Sequence, residues 1–193
     1  LPPAPAVEAA RAQTAKCTSL LINGDFESGP GVGWSETVDD NCNPAFGCDI
    51  VSDQFPHNGD YGAWLGGYDG ADATLRQTVT IPAGAGQVTL SYWWTVYTQE
   101  ESHPHDLCTV EVRNASGALL QTLQAIEDSD DAPYEWVRSQ FDLTAYKGQT
   151  VQLTFHAVTD ATGPTDFFFD DVTLEACSSG PQRAIHLPWV RKP

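Results

Sequence analysis

Leu20-Leu21-Ile22-Asn23-Gly24-Asp25-Phe26-Glu27-Ser28-Gly29 lies near the start of this 193-residue chain, and Phe167-Phe168-Phe169-Asp170-Asp171-Val172-Thr173-Leu174-Glu175-Ala176-Cys177 near its end. Their reading decides the fold. Laid antiparallel with Cys17 opposite Cys177, Leu20 faces Leu174, Ile22 faces Val172 and Gly24 faces Asp170. Apolar then meets apolar on one side of a half-buried strand pair, and a slip of one residue would turn the whole set to the other face. The same register sets Cys17 and Cys177 against each other as a disulfide pair. It also leaves the Asp170 carboxylate at the core-side end of the ladder, beside Asp25 and Glu27. A carboxylate there needs a partner, and a hard cation is an economical one.

Outward from this bracket, the chain reads as short strands divided by Gly, Pro, Asn and Asp. Leu75, Val79 and Ile81 share one face of their segment, with Thr74, Arg76, Thr78 and Thr80 on the other. Val88, Leu90, Tyr92, Trp94 and Val96 form the next inner face, followed by Cys108, Val110 and Val112, with Asn114-Ala115-Ser116-Gly117 turning into Leu119 to Leu123. Val137, Phe141 and Leu143 form another, then Val151, Leu153, Phe155 and Ala157. Period-2 alternation at this density of turns predicts an all-β sandwich of two antiparallel sheets. Residues 17–177 are expected to form the domain. Residues 1–16 read as an Ala/Pro-rich lead-in, and residues 178–193 as a basic, apolar tail packed on the domain. With no leader-like segment and no Met, the chain reads as a mature or trimmed product.

Nine Lys and Arg stand against 26 Asp and Glu, a formal net charge of -17. That balance argues against nucleic acid or an anionic membrane as partner, and it suits a chain that holds divalent cations. No apolar run approaches the length of a membrane span. Of the five cysteines, Cys42 and Cys48 are placed to close a short loop, and Cys108 shares a face with Val110 and Val112, as a small buried hydrophobe would. Two disulfides point to an oxidising compartment, and so to a secreted or cell-surface protein.

Asn23-Gly24-Asp25-Phe26-Glu27-Ser28-Gly29, followed by Trp34, resembles the opening of galactose-binding-like jelly rolls, which include the carbohydrate-binding modules of secreted glycoside hydrolases. Phe169-Asp170-Asp171-Val172-Thr173-Leu174 is similar to their closing strand and to that of MAM-type domains. Gly62-Ala63-Trp64-Leu65-Gly66-Gly67, Gln77 to Pro82, Leu90-Ser91-Tyr92-Trp93 and Phe141 to Val151 resemble a subgroup found beside secreted bacterial peptidases. The resemblance implies a jelly-roll β-sandwich. It further implies a structural Ca²⁺ held by Glu27 and Asp170; Asn23, Asp25 and Asp171 stand beside them as further candidate ligands, although Asp25 occupies a position where the family pattern more often has a small residue. The alternative for these acids is capping of turns through backbone N–H groups.

A second metal candidate is the loop carrying Glu100, Glu101, His103, His105 and Asp106, with Asp160 near Asp166. Its His-x-His-Asp run is a conceivable transition-metal set, because imidazole suits such ions. Aromatic residues supply a ligand-binding candidate, since their rings offer rigid apolar contact area. These are Trp34, Trp64, Tyr68, Trp93, Tyr97 and Trp136; on their strand Trp93 and Tyr97 point away from Tyr92, Trp94 and Val96. G-x-S-x-G, H-E-x-x-H and P-loop patterns are absent. The expected function is therefore that of a secreted non-catalytic binding or accessory module taking carbohydrate. A structural or adhesion domain contacting a neighbouring protein is the second expectation, and a small hydrolase the third.

Overall fold

A computed structural model describes residues 16–43, 47–130 and 135–178. Apart from Lys16 and Ser178, the expected lead-in and tail lie outside the described residues. Eleven strands follow in chain order: β1 (Cys17–Ser19), β2 (Ser35–Thr37), β3 (Val51–Ser52), β4 (Gly62–Gly66), β5 (Asp72–Thr80), β6 (Ala85–Thr98), β7 (Leu107–Asn114), β8 (Leu119–Glu127), β9 (Val137–Asp142), β10 (Thr150–Val158) and β11 (Thr165–Ser178). No helix among the described residues is long and apolar enough to cross a membrane.

The strands form two antiparallel sheets packed as a sandwich, as the alternation predicts. One sheet has the order β3-β4-β11-β6-β9 and the other β2-β5-β10-β7-β8. The 14-residue β11 organises the first sheet. Its whole length pairs with β6, while its other edge takes β4 along Asp166–Phe169 and β1 along Glu175–Cys177. The two inner faces supply the core. Phe155 stands at its centre, with ring centroids 4.7 Å from Phe169, 5.5 Å from Tyr92 and 6.1 Å from Trp34. Cys108 is buried and free, and burial pushes its thiol well above the usual range.

The bracket closes in the expected register at first and then departs from it. Cys17 pairs with Cys177, Thr18 with Ala176 and Ser19 with Glu175. The Leu20 N–H donates to the Leu174 carbonyl at 2.8 Å. Both expected disulfides, Cys17–Cys177 and Cys42–Cys48, are present. Beyond Leu20 the strand ends in a turn, with Asn23 at φ 53° and Phe26 at φ 58°. Gly24 therefore meets Val172, whose N–H donates to its carbonyl at 2.8 Å, rather than Asp170. A Cβ on Gly24 would sit 2.1 Å from the Val172 oxygen, so only glycine allows the approach.

Ile22, expected against Val172, is instead 64% exposed. Gln77 holds its backbone, accepting from the Ile22 N–H at 2.8 Å and donating to its carbonyl at 2.9 Å. The turn delivers Phe26 to the core in its place, fully buried against Trp34 at 5.5 Å. Two further expectations are corrected. Trp34, a candidate for the ligand face, is a core residue whose indole N–H donates to the Asn23 carbonyl at 2.8 Å. Val137, expected on an inner face, is exposed, because inward packing on β9 starts further along, with Phe141.

Candidate functional site

The outer face of the β4-β11-β6-β9 sheet collects aromatic side chains. Alternation drives Phe167 and Phe169 into the core and leaves Phe168 and Asp166 outward. Register then sets Phe168 between Trp64 and Thr95, Asp166 between Gly66 and Tyr97, and Trp93 between Asp170 and Arg138. The loop after β3 lays Phe55 and His57 over this face. Phe55 lies 5.4 Å from Phe168 and stacks on Trp136 at 5.9 Å with a 9° interplanar angle. His57 stacks on Trp93 at 4.4 Å and meets Trp136 edge-on at 5.1 Å. Trp64 and Phe168 stack at 6.4 Å.

Phe55, Thr95, Tyr97, Asp166 and Phe168 line a hollow of about 140 Å³ within this group. Phe55 adopts φ 46°, a conformation that a bulky side chain rarely takes. Strain of this kind is characteristic of sites where the surrounding structure imposes a geometry. Polar groups stand beside the rings. The Trp64 indole donates to Asp166 at 2.6 Å, and burial raises the Asp166 carboxyl above its ordinary range while that bond lowers it. The Arg138 guanidinium donates to Ser91 at 3.1 Å.

The expected aromatic set is thus divided. Trp64, Trp93, Tyr97 and Trp136 converge. Tyr68 faces another way, its hydroxyl donating to Asp39 at 3.3 Å; burial, reinforced by the Asp39 and Asp72 charges, pushes the phenol up to about 12. Phe55, His57, Asp166, Phe168 and Arg138 join the face without having been singled out for it. The alternation that buries Phe167 and Phe169 is the one sequence signal that marks Phe168.

The outer face of the other sheet is polar. Arg76, Arg113, His156 and Thr154 line a groove of about 200 Å³ there. Its charges are largely paired within the sheet. Arg113 donates to the buried Glu111 at 2.6 Å, and His156 meets Asp72 at 2.9 Å.

At the bracket, Glu27 and Asp170 grip one loop from two sides. The Asp60 N–H reaches both Glu27 oxygens at 3.0 Å, and the Tyr61 N–H reaches Oε1 at 3.0 Å. A Cβ on the intervening Gly59 would lie 2.3 Å from Oε1. Asp170 is fully buried; its Oδ2 accepts from His57 and Asn58 at 2.9 and 3.1 Å, and its Oδ1 from Asp171 at 2.6 Å. Burial pushes its carboxyl up to about 6 against those donors, and the Asp171 charge adds to the rise. A carboxylate offers about four lone-pair sites, so each of these acids keeps about one open to a cation. Asn23 spends its side chain on Ser28, Gly29 and Val32, Asp171 pairs with His57 at 2.8 Å, and Asp25 is exposed.

In the second candidate cluster, the histidines separate. His103 meets Asp128 at 3.2 Å and His105 meets Ser102 at 3.1 Å, while Glu101 is exposed. The ligand atoms that converge are one oxygen each from Glu100, Asp106 and Asp160, all within 4.8 Å of one another. The arrangement is an all-oxygen set drawn from the acids of the expected cluster, without its histidines.

No protein-family model matches the chain. It is 28% identical over 131 residues to the pre-pro-metalloprotease PrtV of Vibrio cholerae, in strains M66-2 and El Tor Inaba N16961. The match covers 62% of this chain and 14% of PrtV, so the chain spans a small part of that relative's length. Among solved structures it is similar to TmCBM61 in complex with β-1,4-galactotriose, with TM-score 0.56, 18% identity, and 81% of this chain and 97% of that one covered. The K3 cleaved adhesin domain of Lys-gingipain from Porphyromonas gingivalis w83 gives TM-score 0.53 at 18% identity, covering 83% and 99%. A family 16 carbohydrate-binding module gives 0.50 at 20%, covering 80% and 98%. The chain is an all-β, two-sheet sandwich of the kind found in carbohydrate-binding modules.

Proposed function

We propose that this chain is a secreted, non-catalytic module that binds carbohydrate on the outer face of the β4-β11-β6-β9 sheet. The observation that carries the reading is the run of rings Trp64, Phe168, Phe55, Trp136, His57 and Trp93, continuous from one to the next and flanked by Asp166 and Arg138. Rings present apolar faces to the C–H surfaces of a sugar, while a carboxylate and a guanidinium take its hydroxyls. The fold likeness to a module solved with a galactotriose supports the ligand class. The two disulfides support an extracellular setting.

Binding of galactan, xylan and cello-oligosaccharides to the full chain tests the reading. Trp64→Ala and Trp136→Ala should each weaken binding by roughly tenfold or more with the fold retained, as buried aromatic anchors do. Arg113→Ala on the opposite sheet should leave it unchanged. Loss with Arg113→Ala alone would move the site to the polar groove. Absence of glycan binding, with capture of a protein partner that the Trp variants abolish, would favour the adhesion reading instead.

We further assign a structural Ca²⁺ to Glu27 and Asp170, at the one lone-pair site that each leaves open. Calcium should then raise the melting temperature of the parent chain by an increment that Glu27→Gln removes. Equal increments in both proteins would exclude the ion from this end of the sandwich.

A further inference from the structure

We propose that Glu100, Asp106 and Asp160 form a Ca²⁺ site that ties the β6–β7 loop to the β10–β11 loop. Two ligands of one ion at about 2.4 Å cannot stand more than about 4.8 Å apart, and the three oxygens meet that limit. Among the described residues no imidazole or thiolate converges with these oxygens, which argues against zinc and copper.

Independent support comes from buried oxygens that lack any donor. Asp106 is 1% exposed; its Oδ1 accepts the Asp160 N–H at 2.7 Å, and its Oδ2 is buried without a partner. Glu100 Oε1 is likewise buried and unpartnered. Asp128, fully buried just after β8, donates its N–H to the Asp106 carbonyl at 3.1 Å. Its Oδ2 takes the His105 backbone N–H at 3.1 Å and meets His103 Nδ1 at 3.2 Å, while its Oδ1 has no partner. Burying carboxylate oxygens without donors is unfavourable, and a hard cation offsets that cost. Among the described residues, no Lys or Arg side chain is paired with any of the four acids. The three ligands come from two connections far apart in sequence, so the ion would fix loop positions that backbone pairing does not.

The site is independent of the ligand that the aromatic face takes. The test titrates the full chain with Ca²⁺, Mg²⁺ and Zn²⁺ by calorimetry, beside melting curves in calcium and in chelator. Glu100→Gln and Asp160→Asn should each weaken calcium binding at this site by roughly tenfold or more, while Glu27→Gln leaves it intact. In chelator, Glu100→Gln should melt above the parent, because one of the repelling charges is gone; in calcium it should melt below it. That reversal separates a ligand from a merely structural acid. Equal calcium stoichiometry and affinity in the parent, Glu100→Gln and Asp160→Asn would overturn the proposal. So would preferential binding of Zn²⁺ or Mg²⁺, or no calcium binding at all.

Discussion

Replacing both Cys17 and Cys177 by Ser should lower the unfolding free energy by about 3–5 kcal/mol, as read by urea denaturation of the oxidised proteins. The bridge spans 160 residues of sequence, so it removes much of the freedom of the unfolded chain. It also holds β1, whose ladder has three register pairs and whose side chains are exposed. The paired substitution at Cys42 and Cys48, separated by six residues, should cost less, about 2 kcal/mol on the same loop-closure scaling. An equal or reversed order would show that the long bridge does not act mainly by restricting the unfolded chain.

Asp170→Ala should cost about 3–5 kcal/mol and strip order from the 57–61 loop. The carboxylate is fully buried and accepts three backbone N–H groups, from His57, Asn58 and Asp171. Each buried donor left without an acceptor costs on the order of 1–3 kcal/mol, less where water enters. Asp170→Asn keeps one oxygen acceptor and should fall between the parent and Asp170→Ala. Denaturation followed by tryptophan fluorescence reads the effect, since His57 stacks on Trp93 and loop release alters that indole's surroundings. A cost below about 1 kcal/mol for Asp170→Ala would show that solvent replaces the carboxylate without difficulty. Because His57 and Phe55 lie on the same connection, Asp170→Ala should also weaken any ligand held by the aromatic face.

The bracket shows how far local patterning reaches. The pairing of Cys17 with Cys177 and of Ser19 with Glu175 was legible, because a strand repeats every two residues and a disulfide adds a covalent anchor. The pairing of Ile22 was not. Where β1 ends depends on Gln77, a side chain from β5 that occupies the Ile22 backbone groups, and on Phe26 competing for the core. Trp34 illustrates the same limit. Its type and its place after a Gly-rich turn agree equally with a ligand face and with a core, and only packing against Phe26 and Phe155 decides.

The two candidate sites divide in the same way. Glu100, Asp106 and Asp160 stood out in the sequence as acids in loops, with His103 and His105 beside them as conceivable further ligands. Loop geometry turns the imidazoles toward Asp128 and Ser102 and leaves carboxylate oxygens to converge. The aromatic face draws on β4, β6, β11, the 53–57 loop and Trp136, so no single stretch carries its signal. Sequence by itself determined the all-β class, the inward sets on most strands, both disulfides and the first pairs of the closing ladder, because each follows from period-2 alternation or a covalent partner. Tertiary structure alone decided which acids share a site and which rings share a face, because those groupings depend on sheet order and loop paths that alternation does not encode.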